Sequence, residues 1–236
     1  AIEVARGAGD PGLLAEALGA NERLQRSVRE GAAQWEALTH RRGLHFGLTG
    51  LALLDLVAHV ATGENRLLDR AVDRIRSDLE SCIVTASGDL MVRDVDANRA
   101  LPYVEWGSAG VWGVALAAER LTGRRLLTEA ELAAAMRACS SDLYVYSSLD
   151  HGRAGIMAVL ACAGASGAPE ALRQRDLLLP TLLERDGMAF CVGDGLVRLS
   201  ADLSTGAAGV AVALHAVAGT NPFAWLPVSS ATSGVI

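Results

Sequence analysis

The chain has 236 residues, 51% hydrophobic, 4% aromatic and 20% charged, with 25 glycines and a net charge of −6. This is apolar material enough for one sizeable core of small aliphatic side chains, and an acidic balance with no basic stripe excludes a nucleic-acid binder. No apolar run reaches the roughly 20 charge-free residues of a membrane span, and an opening that carries Glu3, Arg6 and Asp10 does not read as a secretory signal, so a cytoplasmic location is expected.

In chain order, residues 11–29 read as an outer helix with Leu14, Leu18, Leu24 and Val28 facing inward. Gly47-Leu48-Thr49-Gly50 then leads straight into LALLDLVAHVA, apolar on nearly every face, which predicts a helix buried all round. Residues 66–80 set Leu68, Val72, Ile75 and Leu79 on one stripe with charges opposite, an amphipathic cover for a core. Residues 82–95, pivoting on Ser87-Gly88-Asp89, predict a short β-hairpin. Gly107-Ser108-Ala109-Gly110 opens a second buried run, VWGVALAAE, and Thr128 with Glu131 forms a capping box for an outer helix over 128–139. Gly152-Arg153-Ala154-Gly155 opens a third run, IMAVLACA; Pro169 then starts an outer helix that Pro180 kinks or ends. A second hairpin over 187–200 pivots on Gly193-Asp194-Gly195, and Gly206-Ala207-Ala208-Gly209 opens the fourth run, VAVALHAVA. The tail, 222–236, has no pattern and is expected to be ordered only where Trp225 and Leu226 dock.

Alternation of buried and amphipathic helices predicts an all-α fold over 1–236, an α/α toroid of two concentric helix layers interrupted by two short β-hairpins. The Gly-x-x-Gly starts lie 60, 45 and 54 residues apart, which a solenoid of fixed period would not show. The helix starts share one end, and chemistry is expected there. Cys82, Cys139, Cys162 and Cys191 are too scattered for a zinc knuckle or a disulfide framework and read as reduced, mostly buried thiols. His59 and His215 lie in apolar runs and read as core histidines, His40 as exposed, and Asp202, Ser204 and Thr205 as helix N-caps.

The residues around the glycines carry a family resemblance. Leu101-Pro102-Tyr103-Val104-Glu105-Trp106-Gly107-Ser108-Ala109-Gly110, Asp150-His151-Gly152-Arg153-Ala154-Gly155, the segment from Leu199 to Gly209 and Gly43-Leu44-His45-Phe46-Gly47-Leu48-Thr49-Gly50 resemble four phrases of lanthionine synthetase C-like cyclase domains, in the family's order. The wording is most similar to class III lanthipeptide synthetases, in which lyase, kinase-like and cyclase domains share a polypeptide. The resemblance covers about residues 10–225 and implies the C-terminal part of a toroid, its last four inner helices. It further implies a ribosomal precursor peptide with dehydrated Ser or Thr as partner, lyase and kinase-like domains in the same polypeptide or another chain, and a nucleotide only for the kinase-like domain.

The implied reaction adds a peptide Cys thiol to dehydroalanine or dehydrobutyrine, giving lanthionine or labionin rings. It needs a thiolate, enolate stabilisation and a proton for the α-carbon. His151, Asp150, Glu105, Tyr103 and His45 are the candidate catalytic residues, with Arg153 and Trp106 as candidate substrate contacts. Five of them have a plainer alternative: loop fixing for His151, capping for Asp150 and Glu105, packing for Tyr103 and a structural salt bridge for Arg153. Zinc-dependent relatives hold their metal with two cysteines and a histidine; the matching positions carry Glu105, Asp150 and His151, so no metal or other cofactor is expected for this domain. A free thiol is about 3% ionised at neutral pH, so a metal that ionised it fully would gain only roughly 30-fold, less than positioning can contribute. The histidine that relatives place just before the first glycine is Phe46 here, and His45 lies one position earlier, a rotation of about 100° at a helix entry. Two other readings stand beside the cyclase: a non-catalytic module that binds the precursor or scaffolds neighbouring domains, and a glycosidase using Glu105 and Asp150.

Overall fold

The entrance to each buried helix is shaped by its paired glycines. The computed structural model describes residues 2–31, 42–94, 99–219 and 221–228. In it the four apolar runs are helices α3 (Leu48–Thr62), α5 (Ser108–Thr122), α7 (Arg153–Cys162) and α9 (Ala207–Ala218). The chain folds back over the first turn of each. A Cβ on Gly110 or Gly155 would overlap the carbonyl oxygen of Val104 or Leu149, six residues upstream, and Gly50 and Gly209 meet Leu44 and Leu203 in the same way. In the last three pairs the first glycine lies against the backbone of the same turn, and Gly107 adopts φ 153° there, whereas Gly47 lies closest to the Asp78 carboxylate. Only glycine tolerates so close a backbone approach.

The covering elements are α1 (Ile2–Ala8), α2 (Pro11–Glu30), α4 (Asn65–Glu80), α6 (Glu129–Ala138) and α8 (Ala168–Leu178). Helices α3, α5, α7 and α9 pack side by side in chain order; α4 lies along α3, α8 along α7, and α6 against α5. The chain is thus mainly helical, with an inner row of glycine-led helices behind an outer row. No helix among the described residues is long and apolar enough to cross a membrane.

Local signals hold closely. Asp10 caps α2 by accepting from the Gly12 and Leu13 amides, and Thr128 and Glu131 form the reciprocal capping box of α6. Helix α8 starts with Pro169 in its first turn and stops at Leu178, where Pro180 enters a 3₁₀ turn over Leu179–Thr181. In α4, Val72, Ile75 and Leu79 are buried as expected, together with Leu67.

Four expectations need correction. Each hairpin belongs to a three-stranded antiparallel sheet: β1 (Ile83–Val84), β2 (Leu90–Asp94) and β3 (Arg99–Leu101), then β4 (Leu183–Arg185), β5 (Met188–Val192) and β6 (Leu199–Ser200). The buried stripe of α2 is Ala17, Asn21 and Gln25, and Leu24 is 40% exposed, because Gln25 turns inward to a polar network on α3 and α4. Helix α9 is not buried all round: Ala208, Ala211 and His215 face solvent at the edge of the row, so His215 is not a core histidine. His59 is half-buried, and its Nδ1 lies 3.0 Å from the Glu64 carbonyl. Fourth, the Asp202–Thr205 turn caps itself and not α9: Thr205 N–H donates to Asp202 Oδ1, and α9 has Gly206 at its N-cap with no side-chain cap bond. His40, Arg41 and residues 229–236 lie outside the described residues.

The core forms two clusters, one around α3, α4, α5 and α6 and one around α7 and α9, with Val217 and Trp225 packed against both. The tail contributes Phe223, Leu226 and Val228 as fully buried residues. Trp225 Nε1–H donates to Cys162 Sγ at 3.3 Å, and its ring fills the space a side chain at Gly113 would take. The cysteines are unpaired; burial pushes the Cys82 and Cys162 thiols up to about 12 and raises those of Cys139 and Cys191.

Candidate functional site

The turns that precede the inner helices are joined to one another through their backbones. Leu44 N–H donates to Val104 O at 2.9 Å and His45 N–H to Glu105 O at 3.1 Å. Val104 and Glu105 both donate to Asp150 O at 3.1 Å, and Asp150 N–H donates to Ser204 O at 3.1 Å. This chain of bonds lines up the same position of every unit, two residues before its first glycine: His45, Glu105, Asp150 and Ser204. The next position carries Phe46, Trp106, His151 and Thr205.

The result is a cluster of two imidazoles and two carboxylates at the shared end of the inner helices. His151 Nε2 lies 2.7 Å from Glu105 Oε2. His45 Nδ1 lies 3.9 Å from Glu105 Oε1 and 3.9 Å from Asp150 Oδ2. The His45 side chain is 47% exposed whereas Asp150 is 7% exposed, so the cluster presents an accessible imidazole over a buried carboxylate. Ser204 Oγ–H donates to Asp150 Oδ2 at 2.5 Å. His45 therefore lies near the two carboxylates, because it shares their register.

Tyr103 borders this group, its ring 6.4 Å from that of His151 and 6.1 Å from that of Tyr144, both edge-on. Trp106 and Phe46, the residues that follow Glu105 and His45, form a tilted aromatic pair with centroids 6.2 Å apart. Arg153 is placed differently from the rest. Its guanidinium is buried, donates to Gln174 Oε1 and to Asp142 O at 2.7 Å, and lies 5.2 Å over the Tyr144 ring. Those contacts engage it in holding α7, α8 and the loop that precedes α7 together.

Asp78, on α4, braces the first turn. It accepts from Thr49 N–H and Thr49 Oγ–H, both at 2.7 Å, and lies 3.1 Å from Arg42 Nε. Burial raises its carboxyl while these donors, Thr49 foremost, act against the shift. Arg42 O in turn accepts from Gly107 N–H at 2.8 Å, so the brace reaches the second turn as well.

Ligand atoms of His45, Glu105 and Asp150 lie within 4.8 Å of one another. As a zinc site of the two-cysteine kind the set does not fit. It offers hard oxygens in place of both thiolates, and Glu105 and Asp150 already meet His151 and Ser204. Sequence reasoning missed Ser204 and the reach of Phe46. The signal for both was present, as the common register of the four units, but it becomes meaningful only when the turns are seen side by side.

No protein-family model matches the chain. Over 190 residues, 77% of its length, the chain is 37% identical to a Streptomyces coelicolor protein described as a probable SapB synthase. It spans 20% of that protein's length, so the similarity relates this chain to one segment of a much larger synthase.

Proposed function

We propose that the chain is the cyclase segment of a class III-type lanthipeptide synthetase, the C-terminal part of an α/α toroid, acting without zinc in the cytoplasm. Its partner is a precursor peptide carrying dehydrated Ser or Thr, delivered by kinase-like and lyase domains. The observation that carries this reading is the pairing of His151 with Glu105 at 2.7 Å beside an exposed His45; similarity to a SapB synthase supports it.

In this reading His151, oriented by Glu105, takes the proton from the peptide thiol. The sulfur attacks the β-carbon of the dehydro residue, a carbon–sulfur bond forms, and the alkene π pair moves onto the neighbouring carbonyl oxygen as an enolate. Tyr103 donates to that oxygen. His45, held between Glu105 and Asp150, gives a proton to the α-carbon; His151 then passes the thiol's proton to solvent and His45 regains one from solvent, so both imidazoles are restored and no proton is gained or lost overall. Trp106 and Phe46 form an apolar wall for the peptide, and Arg153 supports the site through α7.

The test incubates the protein with dehydrated precursor and counts free thiols by alkylation over time. Rings form faster than without protein, and His151→Ala slows this by about 10²-fold or more while precursor binding persists. A wild-type rate no higher than the uncatalysed one sinks the cyclase reading. That result would favour the second reading, a peptide-binding module, for which the Phe46–Trp106 pair beside the site speaks.

A further inference from the structure

Ser204 looks in sequence like one of several polar residues at the start of α9, with capping as its ordinary task. Its hydroxyl does something else. The turn is closed by Asp202, which accepts from Thr205 N–H at 2.6 Å and from Thr205 Oγ–H at 2.9 Å. Helix α9 takes no side-chain cap. Ser204 is instead bound twice to the third unit: its carbonyl accepts from Asp150 N–H at 3.1 Å and its hydroxyl donates to Asp150 Oδ2 at 2.5 Å. That same oxygen faces His45 Nδ1 at 3.9 Å. Ser204 also occupies the register position that supplies His45, Glu105 and Asp150 in the other units.

We propose that Ser204 is a positioning residue of the site, holding the Asp150 carboxylate so that Oδ2 faces the His45 imidazole. An aspartate side chain has two rotatable bonds, and a charge-assisted hydrogen bond to one oxygen selects among their settings. The fourth unit thereby acts on the first through Asp150. The catalytic meaning of this rests on the cyclase reading; the placement of Asp150 does not.

The experiment compares Ser204→Ala and Ser204→Thr in the full chain, with Thr205→Ala as a control that disturbs only the Asp202 turn. Two readouts are taken: ring formation, resolved into kcat and KM, and the His45 ring resonances by NMR. Ser204→Ala lowers kcat about tenfold at unchanged KM, the loss expected for a hydrogen bond to a charged group. It also shifts the His45 resonances, and Ser204→Thr restores both. Thr205→Ala leaves the His45 resonances in place. The proposal is overturned if Ser204→Ala leaves those resonances unmoved, or if Ser204→Thr behaves like Ser204→Ala. A wild-type chain that forms no rings, yet whose His45 signals respond and recover as described, retains the placement of Asp150 and loses the cyclase reading alone.

Discussion

A single-residue offset decides how His45 is understood. Counted from the helix start, it stands one residue further from the glycine than His151 does in its own unit; counted across the units, it is the partner of Glu105, Asp150 and Ser204. The second count governs, because the turns are hydrogen-bonded to one another in that register. Another residue-scale consequence concerns Asp202. Ser200 Oγ–H, Thr205 N–H and Thr205 Oγ–H together hold its carboxyl down at about 2, from an ordinary value of 3.8. A lowered carboxylate contributes stability that is present above its unfolded value and is lost as pH falls through the folded one. The wild-type chain is therefore expected to lose its advantage over Asp202→Asn between pH 3.8 and about 2. Urea midpoints of both proteins at pH 5 and near the bottom of that window measure it; a gap that does not narrow on acidification refutes the assignment.

At the scale of elements, two devices set the helices. The first is the glycine pair. A methyl group at Gly155 would overlap Leu149 O and crowd Val104 Cγ2 at 2.7 Å, and neither the backbone carbonyl nor the packed valine has room to withdraw. Gly155→Ala is expected to destabilise by about 3 kcal/mol, at the upper end of overpacking costs. Gly7→Ala, in open space on α1, should be neutral or stabilising by up to about 1 kcal/mol. Chemical denaturation of the two variants separates these outcomes, and equal effects would remove the steric account of the motif. The second device is the charge buried in α3. Asp55 is fully buried and sits 2.6 Å from Arg70 Nη2 and 2.5 Å from Arg74 Nη1, with Gln25 joining from α2. Such a charge is tolerable only when paired and hydrogen-bonded, so Asp55 locks the register of α4 and α2 against α3. The amphipathic pattern of α4 was legible from its spacing. The inward turn of Gln25 was not, since a glutamine on an outer helix has no reason to be buried until Arg74 is known to face it.

Across the whole molecule, the tail ties the two core clusters together. Leu226 is 2% exposed and Trp225 touches both clusters. Leu226→Ala is expected to cost about 3 kcal/mol, a typical penalty for emptying a buried leucine site. An equilibrium unfolding midpoint unchanged by that substitution would show that the tail does not carry this load. Sequence reading anticipated Trp225 and Leu226 as the docking residues, large apolar groups that favour burial. Phe223 and Val228 are buried beside Leu226 in the same core cluster, apolar groups that the sequence reading did not single out.

What the chain determines by itself is local. Apolar periodicity, the Thr128–Glu131 box, Pro169, Pro180 and the four glycine pairs specify where helices start, stop and hide, because each depends on neighbours within one or two turns. The tertiary structure decides which side chains meet. His45, Glu105, Asp150 and Ser204 lie in four separate units, and their convergence depends on how those units stack. Likewise α9 keeps an exposed face although its sequence is as apolar as that of α3, because burial depends on having a neighbour on each side, and no helix stands beyond it among the described residues.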